Sequence, residues 1–187
     1  TTFQGINGAI FALLALDSGN YEVPVNSDAG IQATRDMYID YILDRELESG
    51  GWSLTGDEAD VDITAMALQA LASYYPQHEN VKGSVDRALG WLSAQQSDSG
   101  DFVAWGAPSA ESTAQVVIAL CSLSIDPRTD TRFVKNGKSA LDGLMQYQVD
   151  GGMFRHTLDG EADVMATEQA ALALIALERL DAKANRL

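Results

Sequence analysis

The chain has 187 residues, 46% of them hydrophobic and 21% charged, which is enough to bury one substantial core. Its 12 Lys and Arg face 27 Asp and Glu, and the formal charge of −15 repels nucleic acid and anionic lipid, excluding both as natural partners. The single cysteine, Cys121, excludes an intrachain disulfide and a multi-cysteine zinc site, and no apolar run reaches the roughly 18 residues of a membrane span.

In chain order, Thr1-Thr2-Phe3 opens directly onto a helix, with no initiating Met and no leader, so the chain reads as a mature or excised fragment. The first helix, residues 6–16, is stopped by Asp17-Ser18-Gly19-Asn20, and a turn-rich connection containing Pro24 follows. Helices are expected over residues 31–47, which Gly50-Gly51 ends, and over residues 62–75, which Pro76 closes. Helices over 81–96 and 112–124 flank a loop at 98–109, and helices over 133–148 and 165–181 complete the chain. They alternate in kind. Those at 62–75, 112–124 and 165–181 are small and apolar nearly all round, whereas 81–96 has one charged face, so an inner layer wrapped by an outer one is implied.

One pattern occurs three times: Tyr41-Ile42-x3-Glu46-x3-Gly50-x-Trp52, Trp91-Leu92-x3-Gln96-x3-Gly100-x-Phe102 and Gly143-Leu144-x3-Gln148-x3-Gly152-x-Phe154. Each copy is followed by a Thr (Thr64, Thr113, Thr167) opening an Ala/Leu-rich stretch 12, 11 and 13 residues after the aromatic. Residues 6–13 fit the same register, and Glu58-Ala-Asp-Val-x-x-Thr64 recurs 103 residues later as Glu161-Ala-Asp-Val-x-x-Thr167. The chain is therefore a tandem array. Gly supplies a left-handed turn at the end of an outer helix, Trp52, Phe102 and Phe154 fold back as wedges, and the Gln or Glu bonds to a neighbouring helix end.

Arg87-Ala88-x2-Trp91-Leu92-x3-Gln96-x3-Gly100-x-Phe102 is similar to the QW repeat of the squalene and oxidosqualene cyclases. The hairpin array resembles the α/α-toroid that those enzymes share with prenyltransferase β subunits, the transcobalamin and intrinsic factor group and complement thioester domains. Toroid modules of secreted or surface proteins of Gram-positive bacteria resemble it further in Gly5-Ile-Asn-Gly8, Asp62-Ile-Thr-Ala-Met66, Glu111-Ser-Thr-Ala-Gln115 and Met165-Ala-Thr-Glu-Gln169. The resemblance implies an all-α toroid domain over residues 1–187 and an extracellular bacterial protein. A closed toroid uses six or so hairpins, so this chain is either part of a larger toroid or an open arc that meets a partner or neighbouring domain.

Asp60-Val61-Asp62-Ile63-Thr64-Ala65 resembles the acid motif of class II terpene cyclases, in which the residue at the position of Asp62 protonates the substrate. Ile63 stands where that motif ends in Asp, and the inner helices carry few aromatics to line a carbocation pathway. Helix capping by Asp60 and Asp62, with Glu111 and Ser112 in the corresponding place before Thr113, accounts for two repeats at once. Cys121 lies in an apolar run, and His78 and His156 lie in turns without ligand spacing. Ala166-Thr167 stands where a thioester motif would have Cys-Gly. Asp57, Glu58, Asp60 and Asp62 read as a solvated acidic loop, not an EF-hand, and no metal or cofactor is expected.

Gln69, Gln115, Glu168 and Gln169 remain as polar residues on apolar inner helices, with Asp62 and Glu111 near helix starts. If the inner helices run the same way, Asp62, Glu111, Glu168 and Gln169 converge on one mouth, and with Gln115 they form a candidate site for a small molecule, peptide or glycan. Bonding of the Gln residues to one another within the ring is the competing reading. The expected function is a non-catalytic binding or scaffold module. A class II terpene cyclase-like enzyme using Asp62, supported by Asp60, is the alternative.

Overall fold

The computed structural model describes residues 2–104 and 106–185. Four helices, α1 (Ile6–Ser18), α3 (Val61–Leu71), α5 (Ala110–Ser122) and α7 (Val164–Asp181), pack side by side in chain order. Outside them lie α2 (Arg35–Leu43), α4 (Glu79–Gln95) and α6 (Ala140–Met145), seated on α1, α3 and α5 respectively. Burial separates the layers as the sequence implies. In α5 every residue except Glu111 and Gln115 is buried, whereas α4 buries only Val81, Ser84, Val85, Ala88, Leu89 and Leu92, one face at helical spacing.

The repeated Thr is a clamp between layers, not the opening of a helix. The hydroxyl of Thr64 accepts from the backbone N–H of Trp52 at 2.9 Å, Thr113 from Phe102 at 3.1 Å and Thr167 from Phe154 at 2.9 Å. Each hydroxyl also donates to a carbonyl: of Trp52, Ser109 and Asp163 respectively. The aromatics are thereby held as wedges, and Trp52, Phe102 and Phe154 are buried. The Trp52 indole in addition donates to the carbonyl of Ile42 at 2.7 Å, near the end of α2.

The inner helices start earlier than the apolar runs suggest, because the caps lie four residues before each Thr. Asp60 accepts from the N–H of Ile63, Ser109 from Ser112 and Asp163 from Ala166. This corrects the capping expectation: Asp60 is a cap, but Asp62, Glu111 and Ser112 lie inside the first turn. The expected helices at 31–47 and 133–148 are shorter than the sequence reading. Thr34 caps α2 through the N–H of Met37, so that helix starts at Arg35. Asn136-Gly137, with φ of 48° and 77°, makes a tight turn between β3 (Val134–Lys135) and β4 (Lys138–Ser139), and α6 then starts behind a Ser139–Asp142 capping box. Two further hairpins occupy expected loops: β1 (Phe102–Ala104) with β2 (Ala107–Ser109), and β5 (Phe154–Arg155) with β6 (Ala162–Asp163).

The glycines of the repeat lie in turns beyond the outer helices, with φ of 90° at Gly50, 92° at Gly100 and 84° at Gly152. Space as well as φ demands glycine at Gly100 and leaves little room for a side chain at Gly50. A Cβ on Gly50 would lie 3.2 Å from Arg87 of α4, and one on Gly100 would lie 2.3 Å from the carbonyl of Ser139 at the start of α6. Arg87 and Ser139 occupy the same place, four residues before Trp91 and Gly143, so each turn leans on the next outer helix in one register. The motif Glu and Gln act alongside: Glu46 accepts from Ser84 and Arg87 of α4, and Gln96 donates to the carbonyl of Phe133 ahead of α6. Beside Gly100, the buried Asp101 carboxylate accepts from Tyr147 at 2.8 Å, Gln146 at 3.0 Å, Ser99 at 2.9 Å and Ser97. That fully bonded acid ties the turn to the end of α6.

Candidate functional site

The inner helices run in the same direction, so their starts share one end of the array. Asp62 in the first turn of α3 lies beside Ser112 and within the field of Glu111, both in the first turn of α5. Burial pushes the Asp62 carboxyl above its ordinary range; the Ser112 hydroxyl draws it partly back, while the charges of Asp60 and Glu111 push it further up. Its Oδ1 is buried without a hydrogen-bond partner. Glu111 is better supplied, since its Oε2 lies 2.7 Å from Nδ1 of His156, whose backbone carbonyl accepts from the N–H of Ala110 at 3.1 Å. His156 thus joins the mouth from the β5–β6 hairpin, where the sequence offers a lone turn histidine.

Counting from the repeated Thr shows which residues share the face of the inner layer that the outer helices leave open. Positions two before, two after and five after the Thr project together on a helix. They are Asp62, Met66 and Gln69 on α3; Glu111, Gln115 and Ile118 on α5; Met165, Gln169 and Leu172 on α7; and, with Ile6 in the Thr register, Gln4, Gly8 and Phe11 at α1. The glutamines join into a ladder: Gln69 Nε2 donates to Gln115 Oε1 at 2.8 Å, and Gln115 Nε2 donates to Gln169 Oε1 at 2.5 Å. Bonding within the ring, the competing reading of these residues, is therefore present. Exposed apolar side chains flank the ladder on both sides, Phe11 at 52% and Met165 and Leu172 at 64% and 45%. At the opposite end of the same face, an open depression of about 500 Å³ is lined by Leu14, Asp17, Gln69, Ser73, Ile118 and Ser122.

Asp62, Glu111, Gln115 and Gln169 consequently share one surface. Glu168 does not join them: it stands one position after the Thr, the face that Ala65 and Ala114 bury between helices, and it is exposed at the edge of α7. The equivalent of Asp62 and Glu111 on α7 is Met165. Cys121 is buried in the core, with its thiol pushed up to about 12 by that burial. His78 lies outside the mouth, against the ring of Tyr74 at 5.7 Å. Among the described residues no group of three or more His, Cys, Asp or Glu is placed to hold a metal, and no helix is long and apolar enough to cross a membrane.

No protein-family model and no curated protein matches the chain. Among solved structures it is similar to a Candida albicans protein geranylgeranyltransferase-I complexed with GGPP, with a TM-score of 0.64 at 18% sequence identity. The match covers 93% of this chain and 49% of that one, so the chain spans about half the length of the structure it resembles. At that identity the likeness speaks for the fold. Layers, repeats and structural likeness agree: the chain has the α/α-toroid fold of the prenyltransferase-like proteins.

Proposed function

We propose that this chain is a non-catalytic binding or scaffold module of an extracellular bacterial surface protein, and that its ligand sits on the open face of the inner layer against the acidic mouth. The observation that carries the reading is the buried, unpartnered Oδ1 of Asp62 beside Asp60 and Glu111. Ser112 offsets only part of the burial of this carboxylate, one oxygen of which has no hydrogen bond, and a ligand N–H or O–H reached by rotation of the Asp62 side chain toward the mouth would supply it. The ligand class is a donor-rich or cationic small molecule, peptide or glycan, whose apolar part meets Phe11, Met165 and Leu172 while the glutamine ladder holds the wall between them rigid. The extracellular setting rests on the resemblance to Gram-positive toroid modules.

One observation favours the alternative. An Asp62 carboxyl pushed up by burial is what a proton-donating cyclase would need. Against it, Phe11 is the one aromatic among the open-face positions traced above, and Ile63 replaces the last acid of the motif. The two readings separate in one experiment on the full chain. A panel of oligoamines, Arg/Lys-containing peptides, glycans and corrinoids is screened by thermal shift, and each hit is titrated against the chain and its Asp62→Asn/Glu111→Gln variant. Binding weakened about tenfold or more in the variant, with the fold retained, is expected for loss of two charge-assisted contacts. A ligand bound equally by both proteins sinks the mouth as the site. Formation of a cyclised product from squalene or geranylgeranyl diphosphate, lost in Asp62→Asn, would establish the enzyme instead.

A further inference from the structure

The β-hairpins that lead into α5 and α7 meet at the mouth. Ala110, the first residue of α5, donates its backbone N–H to the carbonyl of His156 at 3.1 Å, and Glu111 Oε2 lies 2.7 Å from His156 Nδ1. Just beyond this junction an apolar cleft of about 360 Å³ opens between the hairpin tips. Ala107 and Pro108 of the first hairpin line it, with Thr157, Leu158 and Asp159 of the second, and Leu158 is 42% exposed. Asp62 of α3 lies on one side of Glu111, and the His156 hairpin, which leads into α7, lies on the other. Two acids and an apolar cleft thus stand in a row.

We infer that the cleft is a side-chain subsite of the mouth, and that its ligand is an internal, extended peptide segment with a basic residue and a large apolar residue two positions apart. The inference rests on the mouth being the ligand site. Charge selects the basic residue. Asp62, Glu111 and Asp159 stand along the row, whereas Arg155, the base beside His156 in sequence, donates to the carbonyl of Gln146 at 3.2 Å. A cation is favoured there and a free C-terminal carboxylate repelled, so the segment is internal. Spacing selects the separation. Leu158 follows His156 by two residues, so the cleft lies at most about 7 Å of chain from the pair, and side chains two apart on an extended peptide share a face about 7 Å from one another. The cleft wall selects the apolar residue, since a Leu or Phe side chain gains by burial there and a glycan hydroxyl would be desolvated without a partner.

The test titrates acetylated tripeptide amides into the full chain, followed by NMR. Arg-Gly-Phe and Phe-Gly-Arg cover both chain directions, and Arg-Gly-Gly lacks the apolar group. At least one Phe peptide should bind about tenfold more tightly than Arg-Gly-Gly. Leu158→Ser should remove that advantage and leave Arg-Gly-Gly binding unchanged. Ala107→Gln on the facing hairpin should do the same, and both positions are exposed, so the fold is kept. Asp62→Asn/Glu111→Gln should weaken all three peptides. Equal affinity for the three, still lost in that double variant, overturns the cleft and leaves the mouth standing. A Phe advantage that survives both Leu158→Ser and Ala107→Gln overturns the cleft as well. Peptide binding indifferent to the double variant overturns the mouth reading and the inference with it. Absence of binding by every peptide at about 10 mM overturns the peptide assignment.

Discussion

At the residue scale, Asp62 couples the site to stability. Its folded carboxyl titrates above the ordinary aspartate value of 3.8, chiefly through burial, so the folded state holds the proton more tightly than the unfolded one. The sign follows: this group favours folding below its unfolded value, and the contribution is lost as pH rises through the folded value. Asp62→Asn should therefore be more stable than the parent near neutral pH, and the difference should vanish below pH 3.8. Urea midpoints of the two proteins across that range measure it. A variant less stable than the parent at neutral pH would mean that the helix dipole and Ser112 outweigh burial. The sequence places Asp62 near a helix start but assigns it a capping role, since only the true cap at Asp60 shows that the helix begins three residues before Thr64. His156 is less legible still. Its partner Glu111 is 45 residues away, and no local pattern carries such a pairing.

At the element scale, the turn glycines carry the contact from one hairpin to the next. Gly100 and Gly152 share nearly the same φ, but only the first has a neighbour in the way of a Cβ. Gly152→Ala should cost about 1–3 kcal/mol for the positive φ alone. Gly100→Ala carries that cost and also drives its Cβ against the Ser139 carbonyl, so it should lose about 2 kcal/mol or more beyond Gly152→Ala. Chemical denaturation of both variants makes the comparison, and equal losses would show that the turn gives way instead of holding α6. The Gln-x3-Gly-x-aromatic unit was legible because its parts recur at fixed spacing. The β-hairpins were not, because strands of two or three residues are too short to show a period of two, and the helix expected over residues 133–148 yields to Asn136-Gly137.

At the scale of the whole molecule, net charge opposes compactness. With 27 acids against 12 bases, repulsion within the folded chain exceeds what the surface pairs recover, since exposed ion pairs such as Lys82–Asp86 contribute little. Raising NaCl from about 0.01 M to about 0.15 M should lift Tm by about 2–4 °C, equivalent to about 1 kcal/mol for a chain of this size. A Tm that falls with salt would show that local pairs, among them Arg87–Glu46 between α4 and the turn after α2, outweigh the net repulsion.

What the sequence by itself determined is the repeat: four inner helices, three outer ones and the wedge aromatics between them. Each hairpin must bury the same faces against its neighbours, so the residues that do this recur in register and can be read without coordinates. What only the tertiary structure decided is where non-recurring residues meet. The Glu111–His156 pair, the Gln69–Gln115–Gln169 ladder and the bonded Asp101 all join different repeats, and Glu168 is set apart from the mouth by its place around α7. Their side chains are set by helix rotation and by the packing angle between layers, which a shift of one residue in a helix start changes by about 100° around its axis.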